Sequence, residues 1–139
     1  MEKSIPVQTQ KVLELLAQVI VADGHVFESE IIAFTECTAL IPLHDLDGVQ
    51  LTETFAKSWF QQHSEKISRF RDDDNSDIEL TRLILSLAEF PAKQHVVDAL
   101  QKISRSDGHE HMEEKLLISI VKAYWQHDGL DAPGSRIEV

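Results

Sequence analysis

Apolar residues recur along this chain with helical spacing, and no segment alternates with a period of two for long enough to form a strand. From Val12 the run Leu13, Leu15, Leu16, Ala17, Val19, Ile20 is apolar nearly all round, which predicts a central helix rather than a surface one. It begins between Pro6 and Thr9 and stops at Asp23-Gly24. A second helix is expected from Glu28 to Ala39, ended by Pro42, because the residue before a proline is pushed out of helical geometry. After the loop Leu43–Gly48, a long helix carries Leu51, Phe55, Trp59 and Phe60, with a break expected near His63-Ser64 before it continues to Phe70. A fourth helix, with Ile78, Leu80, Leu83, Ile84, Leu87 and Ala88, is closed by Phe90-Pro91. A fifth, with Val96, Val97, Leu100 and Ile103, stops at Asp107-Gly108. The last runs from Met112 to His127 and carries Leu116, Leu117, Ile120, Val121, Tyr124 and Trp125. The pattern predicts an all-α, single-domain bundle of six to seven helices over residues 1–127, followed by a flexible tail at 128–139. The aromatic residues Trp59, Phe60, Tyr124 and Trp125, at helical spacing, are expected mostly in its core.

Length and composition support that picture. A chain of 139 residues, 42% hydrophobic, buries a core without staples. The 24 acidic residues outnumber 13 Lys and Arg, for a formal charge of −11. Phosphate binding draws on Lys and Arg releasing counterions, so nucleic acid is not an expected partner; the acidity serves solubility or attracts cations or a basic partner. The one cysteine, Cys37, permits no intramolecular disulfide and no thiol cluster, and is expected to be a buried helix residue. The N-terminus has no apolar signal core, and Val12–Ala22 is too short and too polar at Glu14 and Gln18 to span a bilayer. A cytoplasmic location without membrane insertion follows by elimination.

Two helix junctions repeat one another. Leu16, Asp23, Gly24, His25 and Glu30 match Leu100, Asp107, Gly108, His109 and Glu114 at a constant offset of 84 residues. Each residue has a local reason to be there. Glycine past a helix end takes the left-handed conformation of a C-cap. Asp folds its carboxylate onto nearby backbone amides. Glu in the first turn of the next helix meets free N–H groups and the positive end of the dipole. These reasons account for Asp, Gly and Glu as structure alone; the recurrence of histidine at both turns is less well explained by them.

On these residues, Ala22-Asp23-Gly24 through Glu30 and Ser106-Asp107-Gly108 through Glu114, the chain resembles the TerB-like family of helical proteins, named for tellurite-resistance TerB. The resemblance spans nearly the whole chain. It implies an all-helical fold of two such halves with the acidic turns brought together, metal binding, a stress response at the membrane, and a protein partner there. Asp23, Glu30, Asp107 and Glu114 are the residues it carries over. One departure is that the family's small polar residue four after the Asp is Phe27 in one turn and His111 in the other. That puts the usual cap in doubt and adds His111 to His25 and His109 as nitrogen donors near the four carboxylates.

Other chemistries lack their residues. Aligning Gly24 with the sixth position of a calcium-binding EF-hand loop puts Val19 and Val21 where oxygen ligands belong; the second turn fails at Ile103 and Arg105. No histidine follows Glu by three residues, as a di-iron bundle needs, and there is no phosphate loop or nucleophile elbow. The expected function is a non-enzymatic metal-binding or metal-responsive interaction module. The alternatives are a metal-free adaptor docking a basic partner on its acidic surface and a hydrolase using metal-activated water. Mixed carboxylate and imidazole donors admit zinc, manganese, iron or nickel, whereas carboxylates alone lean to calcium or magnesium.

Overall fold

The computed structural model describes residues 5–22, 26, 28–71, 76–106, 108 and 112–129. Among them are six helices: α1 (Val7–Val21), α2 (Glu28–Leu40), α3 (Glu53–Arg71), α4 (Ser76–Ser86), α5 (Lys93–Ser104) and α6 (Met112–Gly129). There is no strand among the described residues; His44 and Gln50 form a single antiparallel bridge inside a loop. The all-α reading holds, with two differences in detail. The third helix is unbroken through His63-Ser64, and Leu51 lies ahead of it in the loop, where it is nonetheless buried. The last helix continues to Gly129, two residues past the expected end.

Helix α1 packs against each of the other five. Its apolar residues are covered on more than one face: Leu13, Leu15, Leu16, Ala17 and Ile20 are all fully buried. Burying so much of one helix is the main hydrophobic drive to assemble the bundle, at about 25 cal/mol per Å² of apolar surface removed from water. Helix α5 packs against α1, α2 and α6, while α3 covers α1 and α2, and α4 covers α1 and α6. Phe34 of α2 meets Trp59 and Phe60 of α3 with ring centroids 6.1 and 5.7 Å apart. The Trp125 indole N–H donates to the Ile84 carbonyl at 2.9 Å, fixing α6 to α4. Trp59, Phe60 and Trp125 are core residues, whereas Tyr124 is 40% exposed.

The α2–α3 loop is held by local chemistry. Asp45 is buried, and its Oδ1 accepts from the backbone N–H groups of Asp47 (2.8 Å) and Val49 (3.0 Å). Gly48, at φ +83°, supplies the left-handed residue that lets the chain reverse. The Thr52 hydroxyl accepts from the Phe55 N–H at 3.1 Å and caps α3.

Burial follows the 84-residue offset beyond the turns themselves. Val12, Leu16 and Val19 of α1 are fully buried, as are Val96, Leu100 and Ile103 of α5. Ala33, Phe34 and Cys37 of α2 are buried at the positions of Leu117, Ile118 and Val121 of α6, while Ile32 and Leu116 are both exposed.

Candidate functional site

The helices that flank the two turns meet at one end of the bundle. Along the α2–α5 seam the Lys102 ammonium stands 3.7 Å from the Glu36 carboxylate. One shallow concavity is shared by Ser29 at the start of α2 and by Arg105 and Ser106 at the end of α5. The two helices are therefore antiparallel, and α2 begins where α5 ends. Each turn links its helices through only a few residues, so all four helix ends that bound the turns belong to this end of the molecule.

Glu30 and Glu114 are the third residues of α2 and α6, respectively. Both are fully buried, at 0% exposure. Position and burial reinforce each other: the first turn of a helix presents free N–H groups and the positive end of the dipole, which favours a carboxylate there. A buried carboxylate otherwise loses its hydration at a cost of several kcal/mol unless it is paired, hydrogen-bonded or bound to a cation. Each of these two is engaged within the chain. Sequence reasoning placed both at helix starts but gave no sign that they would be enclosed.

At the second turn, Gly108 has φ +84° and its N–H donates to the Arg105 carbonyl at 3.1 Å, the left-handed closure expected of it. The remaining sequence-derived residues, Asp23, Gly24, His25, Phe27, Asp107, His109 and His111, lie outside the described residues. Among the described residues no group of three or more His, Cys, Asp and Glu is placed to hold a metal ion.

Cys37 is buried in α2, as expected. Burial pushes its thiol above the ordinary range; Lys102 draws it down and Glu36 raises it by lesser amounts. The thiolate, which is the nucleophile, is thereby suppressed. No described helix is long and apolar enough to cross a membrane.

Sequence reasoning missed a second concavity, between α1, α3 and α4. Its signal was present as Gln10, Glu14 and Gln18, a polar stripe with a four-residue spacing on an otherwise apolar helix.

No curated protein and no solved structure matches the chain. The family profile of the tellurite resistance protein TerB matches residues 9–127, a span from the first turn of α1 to the last turn of α6 that takes in both Asp-Gly-His turns, and the chain belongs to the TerB family.

Proposed function

We propose that this TerB-family domain is a non-enzymatic module that binds a divalent cation at the end of the bundle where the two turns emerge, and that the bound form engages a protein partner. The observation that carries the reading is the pair Glu30 and Glu114: equivalent positions, both enclosed, on helices that leave matching acidic turns. A cation among the carboxylates of Asp23, Glu30, Asp107 and Glu114 would turn their mutual repulsion into coordination. With His25, His109 and His111 alongside, the donor set fits a borderline metal such as zinc, manganese or nickel better than magnesium. The family's association with tellurite resistance makes a stress-linked role the natural setting.

The test is thermal unfolding at fixed ionic strength with calcium, magnesium, manganese, zinc or nickel added in turn. A ligand at 100 times its Kd stabilises by about 2.7 kcal/mol, a melting shift on the order of 10 °C for a domain of this size. Asp23→Asn with Asp107→Asn is expected to abolish the shift without lowering the metal-free melting temperature, because repulsion is relieved. Glu30→Gln with Glu114→Gln should abolish it as well. Absence of any shift, together with a loss of metal-free stability in the Asp pair, would mean that these side chains only cap their turns.

A further inference from the structure

Helices α1, α3 and α4 line an open cleft of about 350 Å³, within the size range of small-molecule sites. Its apolar wall is preformed. The Trp59 and His63 rings stack at 4.5 Å with 19° between their planes, and Ile67 and Leu83 stand beside them. Trp59 is only 1% exposed, and its indole N–H donates to Gln10 Oε1 at 3.1 Å. His63 Nδ1 lies 2.8 Å from the Trp59 carbonyl, so the proton sits on Nδ1 and the ring is locked in place.

The polar wall is unevenly committed. Glu14 accepts from the Gln10 amide at 2.9 Å, and Glu79 pairs with Arg82 at 3.1 Å. Lys11 and Lys66 also line the cavity and form no ion pair among the described residues. Gln18 reaches the same space from α1; it is 7% exposed, and its side-chain amide makes no hydrogen bond among the described residues. The amide faces the cleft, where it can donate to an occupant. In a molecule of charge −11, the lining carries three cations, Lys11, Lys66 and Arg82, against the two carboxylates Glu14 and Glu79, a local excess of positive charge. The excess of one positive charge suits a monoanion; a dianionic phosphate would meet Glu14 and Glu79.

We propose that this cavity binds a small organic carboxylate. Its ring or short aliphatic body lies against the Trp59–His63 stack, Ile67 and Leu83. Its carboxylate is held by the Lys11 and Lys66 ammonium groups, with the Gln18 amide donating a hydrogen bond. The site is separate from the turns and does not depend on metal.

Calorimetry and tryptophan fluorescence on the full chain test it, with benzoate, 2-naphthoate and octanoate as probes and 2-naphthamide and inorganic phosphate as controls. At least one carboxylate should bind saturably, with 2-naphthamide about tenfold weaker or worse, the loss expected for a charge-assisted hydrogen bond. Lys11→Gln with Lys66→Gln should weaken binding by about tenfold or more, and Gln18→Leu should weaken it less. Lys66 is exposed, so Lys66→Gln alone leaves the fold intact and should still show part of the loss. Saturable binding by none of the three carboxylates overturns the proposal. So does equal affinity for the amide, affinity for phosphate matching the best carboxylate, or binding that the lysine substitutions leave unchanged.

Discussion

The α1–α2 and α5–α6 units share one buried face, yet they are not interchangeable parts of the bundle. Val12, Leu16 and Val19 in one, and Val96, Leu100 and Ile103 in the other, form equivalent buried faces. The difference lies on the second face. Ala17, Gln18 and Val21 of α1 are buried, whereas Gln101, Lys102 and Arg105 at the same offset are half-buried or exposed. The extra cover on α1 comes from α3 and α4, which leave α5 open on that side. A shared turn thus requires only one shared face. The other face is free to become either core or surface, and on α1 it also became the wall of a cavity.

The largest expected effect breaks the two units apart at that second face. Ala17→Glu places a carboxylate in the apolar core and should destabilise by about 3–5 kcal/mol, a large part of the 5–15 kcal/mol that holds a typical domain. The equivalent Gln101→Glu, on the half-open face of α5, should change stability by less than about 0.5 kcal/mol. Urea unfolding of both variants measures the gap; comparable losses would mean that the second faces are alike after all.

The turns should behave more evenly. Gly108 is at positive φ and a Cβ there would meet nothing within 4 Å, so only the backbone resists substitution. Gly108→Val should destabilise by on the order of 1 kcal/mol or more, because a β-branched residue avoids that region. Gly24→Val is expected to match it if the first turn closes in the same way. A clear loss at Gly108 with none at Gly24 would show that the sequence match at the turns does not extend to their backbone.

Most of the fold could be read from periodicity, because apolar spacing reports directly on which faces are buried. The same signal misled where polarity was taken for a break. His63-Ser64 interrupts the apolar pattern of α3 but not its backbone, and His63 turns out to stack on Trp59. Tyr124, Leu116 and Ile120 sit at helical spacing yet face outward, since spacing marks a stripe and not what covers it. Glu30 and Glu114 were identified from repetition and helix-end electrostatics, but their complete burial is a property of packing between helices distant in sequence. The cavity beside Gln18 was invisible for the same reason: its walls come from three helices, and only one polar stripe hinted at it.

The smallest expected effect concerns Cys37, whose counterpart at the 84-residue offset is Val121, likewise buried. The resemblance of the two sites predicts that Cys37→Val is accommodated, with a stability change below about 1 kcal/mol, since a buried thiol packs as a small apolar group. The two proteins should diverge only in alkali. Burial raises the Cys37 thiol above its ordinary value, so the unfolded chain loses this proton at a lower pH than the folded one. The stabilisation that follows is fully present below the ordinary thiol range and is lost as pH rises through the raised folded value. Because every other titrating group is shared, subtracting the stability of Cys37→Val from that of the parent isolates this contribution. The difference should be flat at neutral pH and turn against the parent as the pH climbs past the ordinary thiol range. A thiol-reactive probe gives the kinetic counterpart: labelling of the native protein should be slow at neutral pH and become rapid only on unfolding. Fast labelling of the folded chain, or a stability difference that does not change with pH, would show that Cys37 is not enclosed as Val121 is.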